Sequence, residues 1–255
     1  MKRALLVVSF GTSVPQARAN ILTVENTLKE AAPDWSFYRA FTSPRIRASL
    51  AKRGETIPSL EEALKKILRD GIRCVTVQPT HILYGLEYDK MKDTVEKYRP
   101  AFDRLILGVP LFSSMEDILE TAQILSSHYP VEKEKHYVFM GHGTEHFADV
   151  VYPALEAVLH RMGRTDCLVA TVEGWPDFES VCSGLAKIPV KLVPLMLCAG
   201  EHALKDMAGD TPGSLKSMLE CRGCQVEWIQ EGLGMLPEIR RIYARHLKSL
   251  TETEE

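Results

Sequence analysis

The sequence is short of aromatic residues, has no long apolar run and carries no excess of basic charge. Phe, Trp and Tyr make up 7% of its 255 residues. Lys and Arg number 31 against 34 Asp and Glu, a formal net charge of −3. No basic stretch breaks that balance, which argues against a nucleic-acid partner. No segment approaches the ~20 consecutive apolar residues that span a bilayer, so no membrane partner is expected. Three motifs are missing as well. There is no GxxxxGK[ST], so nucleotide use is not expected. No GxGxxG follows an apolar run, and Gly232-Leu-Gly234 lacks both spacing and context. No GxSxG marks a nucleophilic serine.

Cysteine is sparse and scattered: Cys74, Cys167, Cys182, Cys198, Cys221 and Cys224. Most lie in or beside apolar runs, as reduced buried cysteines do. Cys221-Arg-Gly-Cys224 has CxxC spacing, but a single pair with no second is read as structural. The opening MKRALLVVSFGTS has a charged start and an apolar run too short for a signal peptide, without a small-x-small cleavage site. It reads as a first strand. A cytoplasmic protein is expected, or a periplasmic one had a leader been removed.

What is present is a globular composition, 45% hydrophobic and 25% charged. Short β-rich apolar runs alternate with helical spacing. Strands are predicted at 4–10, 35–41, 75–79 and 105–107, then at 137–140, 168–172, 190–197 and 226–229. Helices are predicted between them, including 148–162, and 236–250 closes the chain before an acidic end at 251–255. Pro15 suits a helix's first turn, Ser59 and Ser113 or Ser114 suit caps, and Gly71 suits a helix end. The alternation predicts an α/β protein of two similar lobes, each a four-stranded parallel sheet flanked by helices. An internal repeat supports duplication. Ser9-Phe-Gly-Thr12 matches Gly141-His-Gly-Thr144, and Pro79 with Gly85 matches Pro194 with Gly200. That alignment sets Glu87 opposite His202. The lobes are assigned to 1–130 and 131–255, with an active-site cleft between them.

Three strand ends of the second half carry metal-capable groups: His142, Glu173 and His202. Ligands of open α/β sheets bind beyond the carboxyl ends of strands, and neighbouring strand ends lie under ~5 Å apart. Two imidazoles and a carboxylate suit a borderline divalent ion such as Co²⁺, Zn²⁺, Fe²⁺ or Ni²⁺. His146, four residues after His142, does not complete an HExxH motif and is read as flanking. Glu87 is a candidate acid or base facing the metal set from the first lobe. His81 is read as packed nearby, and His128, His136, His160 and His246 as surface or packing residues.

The segments LLVVSFGTS, RAFTS (39–43), MGHG (140–143), VEGWP (172–176) and PLMLCAGEHALKDMAGD (194–210) carry a family resemblance along essentially the whole chain. The sequence resembles the anaerobic sirohydrochlorin cobaltochelatases of cobalamin biosynthesis. That resemblance implies a class II chelatase: one ATP-independent polypeptide of two α/β lobes that inserts Co²⁺ into sirohydrochlorin. It implies metal ligation by His142, Glu173 and His202, and a first-lobe acid at Glu87. One departure is Gly200-Glu201, where the family has Gly-Asp. His142 is expected to serve as ligand and, in a separate step, as proton acceptor. The carboxylates of the tetrapyrrole are expected to meet Arg45, Arg53, Thr12, Ser13 and the amide of Gly11. The competing readings are a siroheme ferrochelatase, a non-catalytic tetrapyrrole or metal carrier, and a small metal-dependent hydrolase. A homo-oligomer is also compatible with the family.

Overall fold

The computed structural model describes residues 2–185 and 187–252. Its chain forms two compact units, Met1–Ser113 with Arg240–Glu255, and Ser114–Ile239. The first unit is built on strands β1 (Arg3–Ser9), β2 (Ser36–Phe41), β3 (Cys74–Pro79) and β4 (Arg104–Leu107), all parallel, in the order β2-β1-β3-β4. β1 is apolar from Ala4 to Val8 because helices cover both faces of its sheet. On one face Leu6 and Val8 join a cluster with Leu64 and Ile67 of α3 (Leu60–Arg69) and Met91 and Val95 of α4 (Leu86–Tyr98). α1 (Arg18–Ala31) buries Ile21, Val24 and Leu28 at helical spacing. It starts after a turn in which Arg18 N–H donates to Pro15 O, so Pro15 precedes the helix. Ser43 caps α2 (Pro44–Ala51). Ser59 and Glu62 form a reciprocal capping box on α3, and Gly71 ends it in the left-handed region at φ 76°.

The second unit repeats the plan. β5 (His136–Gly141), β6 (Cys167–Thr171), β7 (Val190–Pro194) and β8 (Val226–Trp228) are parallel, in the order β6-β5-β7-β8. α5 (Met115–His128) and α6 (Val151–Arg161) belong to this unit, with short α7 (Phe178–Ser183) and α8 (Leu215–Cys221). Val138, Met140 and Leu192 pack with Val181, Leu215 and Leu219, and Cys182 and Cys224 fill the same core. None of the six cysteines forms a disulfide, and Cys221 is exposed. The helix expected from 148 starts at Val151, behind a 3-10 turn at Phe147–Val150.

The expected boundary at 130 is displaced at both ends. α5 joins the second unit because Arg164 holds Ser126 O at 3.0 Å and Tyr129 packs on Phe139 at 5.5 Å between ring centres. Pro130 and the charged run after it link α5 to β5 and are tied to the second sheet, the Tyr137 hydroxyl donating to Pro130 O at 2.9 Å. The closing helix α9 (Pro237–Glu252) returns to the first unit from Arg240 on, where the Tyr243 hydroxyl donates to Thr80 O at 2.9 Å. Residues 253–255 of the acidic end lie outside the described residues. Among the described residues, no helix is long and apolar enough to cross a membrane.

The repeat extends to individual hydrogen bonds. Thr42 and Ser43 donate to Ser9 O and Phe10 O; Val172 and Glu173 donate to Gly141 O and His142 O. Thr80 donates to Val8 O as Leu195 does to Met140 O. Phe10 therefore corresponds to His142, and Ser43 to Glu173. With the third strands in the same register, Glu87 corresponds to His202 in the repeat.

Candidate metal centre

β5 lies between β6 and β7, so the chain leaves the second sheet at three adjacent points. His142 directly follows β5. Glu173 lies two residues beyond β6, and its N–H donates to His142 O at 2.8 Å. His202 stands at the head of a π-helical turn, Ala203–Met207, in the connection after β7. The two imidazoles meet edge to face, ring centres 4.5 Å apart and planes at 86°. The nearer carboxylate oxygen of Glu173 is 3.9 Å from His142 Nδ1. All three side chains are partly open to solvent, Glu173 most of all.

Each histidine has one ring nitrogen engaged on the protein side. His142 Nδ1 lies 3.0 Å from Gly143 O, and His202 Nδ1 lies 2.7 Å from an Asp206 carboxylate oxygen. Both partners are acceptors, so in the neutral ring each Nδ1 carries the proton and each Nε2 the lone pair. That tautomer presents the Nε2 lone pair to a metal, and an acceptor behind the ring fixes its orientation. His146 has the opposite arrangement. Its Nδ1 accepts from Ala148 N–H at 3.1 Å as the cap of the 3-10 turn, which assigns the proton of the neutral ring to Nε2. The neighbouring Phe147 is 85% exposed. Among the described residues, no group of three or more His, Cys, Asp or Glu is arranged to hold a metal ion as it stands.

The loops are held by close backbone approach. A Cβ on Gly141 would meet the Tyr152 ring at 2.2 Å, and the Tyr152 hydroxyl accepts from Gly143 N–H at 3.4 Å. Burial pushes that phenol's pKa up. Gly143, at φ 78°, would place a Cβ 2.5 Å from Gly174 N. Asp149 ties the two loops: one carboxylate oxygen accepts from Thr144 N–H at 2.9 Å and the other from Trp175 N–H at 2.8 Å. Gly174 lies against that carboxylate, and a Cβ there would come within 2.3 Å.

In the first unit, Glu87 opens α4 and pairs with Lys90 at 2.6 Å. Both ring nitrogens of His81 are shielded and lack a partner, and burial lowers its pKa to about 4. Among the expected carboxylate-binding groups, Arg53 and Ser13 come together, the guanidinium donating to Ser13 O at 2.7 Å. Thr12 is buried and accepts from Val14 N–H. Gly11, at φ 100°, lies against the Phe41 ring. Arg45 lies in the first turn of α2, on the loop side of β2. His128 packs on Tyr129, and His160 contacts Cys167 O, as structural residues do.

Asp206, Asp149 and Tyr152 were not singled out from the sequence. Asp206 had a readable signal, the four-residue spacing from His202. Asp149 and Tyr152 act through loop closure and leave no local pattern.

Comparison with known proteins supplies the last observation. The cobalt chelatase (CbiK) family model matches residues 3–252. The sirohydrochlorin cobaltochelatase of Salmonella typhimurium is 39% identical over 97% of this chain and 96% of its own. Sirohydrochlorin cobaltochelatase CbiKC of Nitratidesulfovibrio vulgaris is 31% identical over 96% of this chain and 89% of its own. Among solved structures, SirB from Bacillus subtilis with Fe³⁺ superposes with a TM-score of 0.67 at 15% identity, covering 100% of this chain and 98% of that one. That likeness concerns the fold.

Proposed function

Since the chain belongs to the cobalt chelatase (CbiK) family, we propose that it inserts Co²⁺ into sirohydrochlorin without a nucleotide, releasing two protons. The observation that carries this reading is the pair His142 and His202, in ring contact with each Nδ1 set against an acceptor, and Glu173 beside them.

Insertion has two requirements. The metal must lose water, and two pyrrole N–H groups must lose protons. His142, Glu173 and His202 are the proposed ligands for the entering ion. Glu173 is mostly exposed and has room to turn toward the histidine pair. A site that closes around an ion only in part keeps coordination positions for the ring nitrogens. The same donors accept Fe²⁺, Ni²⁺ or Zn²⁺, with Co²⁺ the assigned substrate.

His142 Nε2 serves first as ligand. Once the ion has passed to the ring nitrogens that carry no proton, the same atom takes a proton from one of the two remaining pyrrole N–H groups. The resulting imidazolium keeps its Nδ1–H on Gly143 O and gains the nearby Glu173 carboxylate as counter-charge. Glu87 is assigned as a second proton acceptor, on the strength of its correspondence to His202 in the repeat. Arg53, Arg45, Ser13, Thr12 and the Gly11 amide are assigned to the substrate carboxylates. Six cysteines that form no disulfide suit a reducing, cytoplasmic setting.

The test is anaerobic incubation with sirohydrochlorin and Co²⁺, without ATP. The free-ring absorption should disappear and the metallated spectrum grow. An absolute nucleotide requirement, or binding without spectral conversion, would overturn the reading.

A further inference from the structure

Large apolar side chains are exposed on both loops that carry proposed ligands. Phe147 is 85% exposed and Val150 49%, on the turn that follows His142 and His146. Trp175 is 60% exposed, two residues after Glu173. Neither segment is loose. Asp149, inside the Phe147 turn, holds the Trp175 N–H at 2.8 Å. Thr171 N–H and its hydroxyl both bond Pro176 O, at 2.7 and 3.0 Å. The clamp that joins the ligand loops therefore also fixes the backbone beneath both aromatic rings.

Exposed aromatics on a fixed backbone keep apolar surface in water with no gain to the fold. Their placement is explained by a ligand that covers them. A tetrapyrrole has broad apolar faces ringed by carboxylates, and the triad supplies no apolar surface of its own. We infer that Phe147 and Trp175 are substrate-binding residues that pack against the tetrapyrrole and hold it over the metal ligands. The inference rests on the chelatase reading above. It assigns affinity for the macrocycle to the aromatic pair and affinity for the ion to His142, Glu173 and His202. Aromatic packing suits this role because ring contact is tolerant of in-plane rotation, while the carboxylate contacts set orientation.

The test uses Phe147→Ala, Trp175→Ala and Trp175→Phe in the full chain. Because both side chains are exposed, the variants should fold. Sirohydrochlorin is titrated against tryptophan fluorescence, Co²⁺ binding is measured by calorimetry, and insertion is followed by absorbance. Both alanine variants should raise KM for the tetrapyrrole about tenfold, with Co²⁺ affinity unchanged. Trp175→Phe should keep KM within about twofold yet lose most of the quenching, since Trp175 is one of three tryptophans. Wild-type insertion with unchanged KM in both alanine variants overturns the inference alone. Quenching through Trp175 without any insertion overturns the chelatase reading and leaves the binding role standing. Wild-type protein that neither binds nor metallates the ring overturns both.

Discussion

Asp206 takes the Nδ1–H of His202 at 2.7 Å, four residues further along one helical turn. A carboxylate behind a ligand imidazole fixes its rotamer and raises its basicity. Asp206→Ala should therefore weaken Co²⁺ binding about 10- to 100-fold, the usual range for such partners. Asp206→Asn should recover part of the loss, because its amide oxygen still accepts the hydrogen bond. Calorimetric titration of the protein alone reads this without turnover. Equal affinity in wild type and Asp206→Ala would remove Asp206 from the site.

His142 and His146 are separated by their hydrogen bonding. His142→Ala should abolish insertion, whereas His146→Ala should retain most activity. Loss of the His146 cap leaves Ala148 N–H short of a partner, a cost of about 1 kcal/mol that lowers stability modestly. Near-normal turnover in His142→Ala would overturn the ligand assignment, and equal loss in both variants would bring His146 into the metal set.

The loop clamp admits no side chain at Gly174. Gly174→Ala forces its Cβ against the Asp149 carboxylate, a conflict costing about 1–3 kcal/mol. We expect a lower Tm and at least a tenfold fall in kcat/KM. Gly184→Ala is the control, since its nearest contact is an ordinary 3.7 Å. If both variants behave alike, the clamp does not position the proposed ligands.

Glu87→Ala should slow turnover while leaving Co²⁺ affinity nearly intact, because the proposed ligands all belong to the second unit. Parallel measurement of kcat and of Co²⁺ binding decides this. A large loss of metal binding would make Glu87 a ligand.

His81 links stability to pH. Its folded pKa of about 4 lies below the ~6.5 of an unfolded chain. Between those values the unfolded state binds more protons, so stability falls on acidification. The contribution is fully present above pH ~6.5 and is lost toward pH ~4, amounting to roughly 3 kcal/mol. His81→Leu should show a shallower decline over that window by urea unfolding. Parallel declines would mean that His81 takes up its proton in the folded protein.

The parallel strands were legible because helices cover both faces and leave apolar runs with no alternation. Ser59 with Glu62 was legible as a cap because both partners lie within one turn. α7, α8 and the π turn are too short to establish a period. The unit boundary was misplaced because Pro130 and the charges after it resemble a linker, while the contacts that bind α5 to its unit come from Arg164 and Phe139. The convergence of His142, Glu173 and His202 could be read from strand-end placement. Their tautomers could not, since Gly143 O and Asp206 take up their roles only when the loops are closed.

The return of α9 to the first unit bears on how the protein is made. Tyr243 reaches Thr80 across 163 positions of sequence. Everything between Ser114 and Ile239 must leave the ribosome before that bond can form, and that stretch is itself a complete unit. The segment synthesised first is thus the one finished last. Until the last helix arrives, the nascent first unit carries an open flank at Thr80 and His81, during the period when exposed strand ends are most prone to mispairing.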